Sequence, residues 1–188
     1  LVARYDRRGI GQSGGRQESA DLEAHAEDAR AVVRFLDDRD DVDDDQVSLL
    51  GYAEGGWTAM LAAARERRIN KLVLLGTPAS TGPELIMEQQ RAALENLGTP
   101  DSERSEQIDL QRRINAAVLG NGPWDSIPPS LRRRAETIWY RSFLQFDVAD
   151  TVRRTRQPIL ILHGDENRQI AVEHADRLLL LARQRRRN

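Results

Sequence analysis

Short runs of apolar residues recur along the chain and predict β-strands. They cover residues 1–5, 47–50, 72–75 and 159–162. The last two runs are continuous rather than alternating, which is the pattern of strands buried on both faces of a parallel sheet. Residues 1–5 have the apolar pattern of a core strand, so the sequence begins within a predicted strand. We therefore expect it to be a fragment of a longer protein.

Apolar residues at helical spacing lie between and after these runs and predict three helices. The first has Asp21 as its N-cap, the second begins just after Gly51, and the third follows the last strand. The inner faces are predicted to be Leu22, Ala26, Ala29, Val33 and Leu36 in the first helix, Ala59, Leu61 and Ala64 in the second, and Val172, Ala175, Leu179 and Ala182 in the third. This alternation predicts an α/β fold, with a mostly parallel sheet and flanking helices.

Residues 81–157 interrupt the alternation and are too long for a loop. Pro83 opens a predicted helix that Gly98 closes, and two more helices are predicted over residues 102–119 and 131–140. We therefore predict one domain over residues 1–188, with a helical cap over residues 81–157 inserted between two strands.

Composition narrows the classes of function. The formal net charge is −2 and there is no cysteine, which excludes disulfides and thiol chemistry. No stretch approaches the roughly 20 apolar residues that span a bilayer, and no residues show a metal-ligand spacing. We expect a soluble protein without metal, cofactor, membrane or nucleic-acid partner, and we favour a cytoplasmic location. The basic tail, Arg183, Arg185, Arg186 and Arg187, is read as a favourable helix C-terminus rather than a nucleic-acid site.

Three motifs resemble the α/β-hydrolase superfamily, in the right order. Residues 6–13, Asp-Arg-Arg-Gly-Ile-Gly-Gln-Ser, resemble the D-x-R-G-x-G-x-S turn of that family. Residues 51–56, Gly-Tyr-Ala-Glu-Gly-Gly, stand where its nucleophile elbow belongs, and residues 163–167, His-Gly-Asp-Glu-Asn, where its acid turn belongs. The likeness is greatest to the serine aminopeptidase and esterase-like branch. The positions that carry the first motif are Asp6, Arg8, Gly9, Gly11 and Ser13.

The resemblance implies an α/β-hydrolase core and acyl-transfer chemistry, with position 53 as nucleophile and position 167 as acid. The backbone N–H of Glu54 would donate to the oxyanion. Gly51 and Gly55 would let neighbouring backbone pass, and Gly56 would allow close helix packing.

Two of the implied catalytic groups are replaced. Ala53 has no oxygen with which to attack a carbonyl. Asn167 lacks the charge that orients a histidine, although Asp165 or Glu166 could substitute. The family's histidine follows a further strand, which we expect beyond residue 188. We therefore predict that the chain is inactive as written.

Several residues allow more than one interpretation. Ser13 also fits a G-x-S-x-G pattern, but no helix follows it directly, so a turn role is favoured. Trp124 and Trp139 are candidate substrate-binding residues of the cap, and packing of the cap explains them equally well. His25 and His174 are expected to be exposed or partly exposed, and His163 to be a buried residue at a strand end.

Two classes of function follow. The first is a hydrolase of small esters, amides or peptides by lineage, present as an inactive fragment or mutant. The alternative is a non-catalytic module that binds a small ligand or a protein partner.

Overall fold

A computed structural model describes residues 1–185 of the chain. Of the basic tail, Arg186 and Arg187 lie outside the described residues.

The described chain contains one parallel sheet of three strands in the order β1 (Ser48–Tyr52), β2 (Lys71–Leu75) and β3 (Ile159–Leu162). Leu50 pairs with Val73, and Val73 with Leu160, so the three strands run in step and their carboxyl ends lie at one edge. The predictions of strands near residues 47–50, 72–75 and 159–162 are confirmed, as is the parallel α/β class.

Eight α-helices accompany the sheet within residues 1–185. They are α1 (Leu22–Asp37), α2 (Glu54–Arg65), α3 (Gly82–Asn96), α4 (Asp101–Val118), α5 (Pro129–Ala135), α6 (Ile138–Leu144), α7 (Val148–Arg154) and α8 (Glu173–Arg183). Asp21 caps α1 as predicted, since its carboxylate accepts the N–H of Ala24 at 2.7 Å. Four of the five residues of the predicted inner face are buried, namely Leu22, Ala26, Ala29 and Val33.

Two strand predictions are wrong. Residues 1–5 form no strand, and Leu1 and Val2 are 97% and 85% exposed. A strand needs a neighbour to pair its backbone groups, and none of the described strands pairs with this segment. The prediction that β3 is buried on both faces is also wrong, because Leu160 and Leu162 are exposed.

The inner face of α8 differs from the prediction. Val172 and Leu179 are exposed, whereas His174 and Leu178 are buried. His174 is only 2% exposed, and its Nδ1 accepts the backbone N–H of Ala79 at 2.9 Å. A histidine therefore takes a core position that the hydrophobic pattern alone does not identify, because a buried hydrogen bond satisfies its ring.

The described chain divides into two compact units. Unit 1 comprises Leu1–Ala79 and the chain from Val148 onward, and it contains the sheet with α1, α2, α7 and α8. Within it α2 packs against α1, the first two strands and α7. Unit 1 thus includes α7, which lies inside the interval predicted as a cap.

Unit 2, Ser80–Asp147, consists of the helices α3 to α6. Pro83 lies in the first turn of α3, as predicted. The single helix predicted over residues 131–140 is instead two helices, because Thr137 caps α6 by accepting the N–H of Tyr140 at 3.1 Å. The Tyr140 hydroxyl then donates to Asn115 of α4 at 2.8 Å, which ties α6 to α4. A role for this unit as a cap stays a prediction.

Burial of His25 generates a prediction about stability and pH. His25 lies on the buried face of α1, against the expectation of exposure. Burial lowers its pKa, Arg7 and Arg8 lower it further, and Asp28 and Asp21 act in the opposite direction. The unfolded chain, with a histidine pKa near 6.5, therefore takes up a proton at a higher pH than the folded chain.

We expect the free energy of unfolding to decrease as the pH falls below about 6.5, and to be unaffected by this group above that value. Urea unfolding at a series of pH values measures it, with His25→Gln as the comparison. The variant should show a flatter profile over this range. Parallel profiles for the two proteins would show that His25 is not the source of this pH dependence.

Candidate active site

The turn of residues 6–13 is closed by its own polar groups. The Asp6 carboxylate accepts the N–H of Gln12 at 3.3 Å, and the Asp6 carbonyl accepts the Ser13 hydroxyl at 2.7 Å. Gly9 and Gly11 have φ values of +73° and +57°, and a side chain on Gly11 would overlap Asp6. Ser13 therefore bonds local backbone, as the turn interpretation predicts.

Arg8 connects this turn to α1 through an ion pair with Asp28. Its guanidinium donates to both carboxylate oxygens of Asp28, at 2.8 and 2.5 Å, which is the bidentate geometry of strong ion pairs. The sequence motif identifies Arg8, but its partner Asp28 lies 20 residues away and carries no local signal.

Ala53 stands between β1 and α2 in a left-handed conformation, with φ +50° and ψ −123°. It is the one residue other than glycine with a positive φ in the part of the chain that is described. Its N–H donates to Leu75 of β2 at 2.9 Å, and its carbonyl accepts the N–H of Gly56 at 3.0 Å. The strand thus passes into the helix at a single strained residue, which is the geometry of a nucleophile elbow.

Of the three glycines to which the motif gives a steric role, two have close neighbours and one does not. A Cβ on Gly51 would overlap the Gly55 carbonyl, and a Cβ on Gly56 would overlap the Thr77 side chain. A Cβ on Gly55 would contact nothing within 4 Å, so the predicted steric role of Gly55 is wrong. Gly55 contributes only its carbonyl, against which Gly51 packs.

Glu54 is the first residue of α2. Its backbone N–H is one of the helix N-terminal donors that have no partner within the helix. Its carboxylate is half-buried, and burial raises its pKa while the charge of Arg7 lowers it. The structure thus presents an N–H donor and a poorly solvated carboxyl next to Ala53.

Asn167 lies in the turn after β3. Its side-chain oxygen accepts the N–H groups of Gln169 and Ile170, at 3.0 and 3.1 Å, and its own N–H donates to Gly164. His163, half-buried just after β3, donates its ring Nε2–H to the Ile170 carbonyl at 2.8 Å. Asp165 and Glu166 are exposed.

The carboxyl ends of the three strands meet at Gly76, which has φ +55° and follows β2. An ideal Cβ on Gly76 would lie 3.1 Å from the Asn167 side-chain nitrogen and 3.7 Å from the Tyr52 ring. The elbow and the acid turn therefore flank the same glycine. Sequence reasoning missed Gly76 and Thr77, although a glycine directly after a buried strand is a recognisable signal.

The two tryptophans predicted to bind substrate lie in unit 2. Arg132 stacks over the Trp124 ring at 5.2 Å, and Trp139 packs on Phe143 with ring centroids 5.3 Å apart. Both rings have packing partners within the unit, and their role in substrate binding stays a prediction.

Residues 1–185 contain no cluster of three or more histidine and acidic side chains suited to a metal ion. No helix among these residues has the length and apolar character needed to cross a membrane.

A parallel sheet with a residue of positive φ at a strand–helix junction is the arrangement found at the nucleophile elbow of α/β-hydrolases. Comparison with known families agrees. The sequence model of the family described as "Serine aminopeptidase, S33" matches residues 1–187. The chain therefore belongs to this family of the α/β-hydrolases.

Solved structures share the fold at low identity. A hydrolase from Pseudomonas aeruginosa PA01 is 22% identical with a TM-score of 0.54, over 93% of this chain and 65% of that protein. The α/β-hydrolase GrgF from Penicillium sp. sh18 is 19% identical with a TM-score of 0.58, over 94% and 65%. Est1E from Butyrivibrio proteoclasticus is 23% identical with a TM-score of 0.54, over 96% and 61%. This chain spans less than two thirds of each of them, and no curated protein matches its sequence significantly.

The two adjacent glycines of the elbow provide a matched test. Gly56→Ala is expected to destabilise the fold by about 1 to 3 kcal/mol, because the new methyl group would overlap the buried Thr77. Gly55→Ala meets open space and is expected to be neutral, or stabilising by up to about 1 kcal/mol. Denaturant unfolding of both variants measures the difference. Equal effects would show that Thr77 does not restrict position 56.

Proposed function

We propose that this chain retains the ligand site of a serine ester, amide or peptide hydrolase but cannot carry out acyl transfer. The proposal depends on one observation above all, the methyl side chain of Ala53 at the left-handed residue of the elbow. The backbone at Ala53 has the conformation that presents a nucleophile in this fold, but the alanine side chain has no nucleophilic atom.

The lost reaction can be written from the site. A hydroxyl at position 53 would attack the carbonyl carbon of an ester or amide, and a histidine would accept its proton. The N–H of Glu54 would donate to the oxyanion of the tetrahedral intermediate. An acid at position 167 would orient the histidine. Collapse of that intermediate would break the bond to the alcohol or amine, which would leave with the proton from the histidine. Without the hydroxyl the carbon–oxygen bond to the protein cannot form, so no acyl intermediate arises.

Asn167 supports the same interpretation. Its side-chain oxygen is already engaged by two backbone N–H groups. An aspartate could accept the same two hydrogen bonds, so the amide preserves the turn while it removes the charge. In a serine protease the corresponding Asp-to-Asn change costs about 10⁴ in rate.

Histidine is the remaining member of such a triad. His174 and His163 each use a ring nitrogen in a hydrogen bond to backbone, and His25 lies on the buried face of α1. None of these three described residues is proposed as the catalytic base.

The ligand is proposed to be a small ester, amide or peptide. Similar solved structures include a complex of ferulic acid with Est1E and an enol-lactonase from Burkholderia xenovorans LB400. Another is a puromycin-hydrolyzing peptidase of Mycobacterium tuberculosis. Ferulic acid and puromycin are small molecules, which supports a ligand of modest size. The cytoplasmic location and the lack of a nucleic-acid partner stay predictions.

The alternative function is binding without catalysis, to a small ligand or a protein partner. The elbow favours it in one respect, because the strained turn at Ala53 and the helix N-terminus at Glu54 are both present although the nucleophile is not. A site of this kind can bind a carbonyl compound and leave it intact.

Labelling with a fluorophosphonate, a reagent for activated serine, tests the proposal. The unaltered chain should show no adduct by intact mass and no ester hydrolysis above background. The double variant Ala53→Ser with Asn167→Asp is made in a protein that also contains the residues encoded on both sides of residues 1–188. It should gain an adduct at position 53, and its rate of ester hydrolysis should be several orders of magnitude higher.

Two controls define the outcome. Ala53→Gly with Asn167→Asp should not be labelled, because glycine keeps the backbone turn without an oxygen. Ser13→Ala should leave the background unchanged. Hydrolysis by the unaltered chain that Ser13→Ala abolishes would refute the proposal and identify Ser13 as the nucleophile.

A further inference from the structure

A chain of hydrogen bonds leads from His163 to the side chain at position 167. The His163 ring donates its Nε2–H to the Ile170 carbonyl at 2.8 Å. The N–H of Ile170 in turn donates to the Asn167 side-chain oxygen at 3.1 Å, and the N–H of Gln169 donates to the same oxygen at 3.0 Å. Ile170 itself is buried. His163 and Asn167 are therefore linked through the two backbone groups of one buried residue.

The other nitrogen of the His163 ring raises the question of why a histidine is present at this position. Its Nδ1 is buried and has no hydrogen-bond partner within residues 1–185. A buried polar atom without a partner costs about 1 to 3 kcal/mol, so an apolar side chain would be more stable here if packing were the only requirement. The bond from Nε2–H to Ile170 is the contact that offsets this cost. The histidine is therefore explained by the carbonyl that its N–H holds in place.

Gly76 limits the side chain at position 167 at its other end. Because a backbone N–H can only donate, the two N–H groups identify the end of the Asn167 amide that they contact as the oxygen. The amide nitrogen accordingly lies beside Gly76, 3.1 Å from the position of an ideal Cβ. An aspartate at position 167 would place one carboxylate oxygen at the two N–H groups and the other where the amide nitrogen now lies.

We propose that His163 is a positioning residue, which fixes the direction of the side chain at position 167 through Ile170. This inference rests on the proposed function, because that direction matters chemically only where an acid orients a histidine. His163 acts through Ile170 and takes no part in the reaction itself. The turn thus keeps the hydrogen-bond donors that hold an acid although residue 167 is an amide, so Asn167→Asp needs no accompanying change in the turn.

Hydrogen exchange tests the hydrogen-bond chain in residues 1–188 without any need for activity. His163→Leu removes the donor to Ile170. We expect the backbone N–H of Ile170, followed by NMR, to exchange about tenfold faster in this variant, which is the effect of one lost hydrogen bond. His163→Gln supplies a side-chain N–H that can reach the same carbonyl, so it should exchange nearly as slowly as the unaltered chain.

Arg168→Gln is the matched control, because Arg168 is an exposed residue of the same turn. It should leave the exchange of Ile170 unchanged. Thermal unfolding of the three variants establishes that each of them is folded.

Catalysis gives a second measurement, in the double variant Ala53→Ser with Asn167→Asp that also contains the flanking residues. Adding His163→Leu is expected to lower kcat for ester hydrolysis by roughly tenfold to a hundredfold, because a misplaced acid orients the histidine poorly. KM should change by less than about twofold, since position 167 is not proposed to contact the ligand. His163→Gln should keep most of kcat, and Arg168→Gln should change neither constant.

The two measurements separate this inference from the proposed function. Unchanged exchange of Ile170 in His163→Leu, or an unchanged kcat, would overturn the role of His163. A loss of kcat that is equally large in His163→Gln would also overturn it, because the donor would then not be the group that matters. If the double variant gains no hydrolysis, the proposed function fails, and the exchange of Ile170 still decides whether His163 holds the turn around position 167.

Discussion

The sharp passage from β1 into α2 is the constraint on which the rest of the site depends. It requires a positive φ at Ala53 and two close approaches of backbone, Gly51 to the Gly55 carbonyl and Gly56 to Thr77. These contacts fix the direction in which α2 leaves the sheet. They thereby fix the position of the side chain at 53 and the free N–H at the start of the helix. The turn that carries Asn167 lies at the same edge of the sheet, because the Asn167 side chain packs close to Gly76.

Two ion pairs of unit 1 lie near the ends of its motifs. Arg8 and Asp28 hold the residue 6–13 turn on α1, and Glu66 and Arg68 form an ion pair just beyond the end of α2. These pairs satisfy groups that would otherwise be costly to bury. Glu54, directly beside Ala53, is half-buried, and burial raises the pKa of its carboxyl. The strained residue and a half-buried acid are therefore adjacent.

The sequence alone was enough to predict those strands and helix ends that depend on neighbouring residues in the chain. The strands at residues 48–52, 71–75 and 159–162 and the Asp21 cap follow from periodicity and capping chemistry. Residues 1–5 have the composition of a strand, but a strand exists only with a paired neighbour. The face of α8 was missed because His174 is buried through a hydrogen bond to Ala79, 95 residues away. Likewise the motif located the elbow, but the steric role predicted for Gly55 was wrong, because the open space around it depends on the tertiary packing, which spacing cannot reveal.

The left-handed alanine has a consequence for the history of the chain. Strain of this kind costs about 1 to 3 kcal/mol, and a whole domain is stable by only about 5 to 15 kcal/mol. In a working hydrolase the strain presents an attacking oxygen, whereas here it presents a methyl group. Alanine and serine differ by that oxygen alone, and their codons can differ by a single base, so position 53 can gain or lose the oxygen in one mutational step without a change in the backbone.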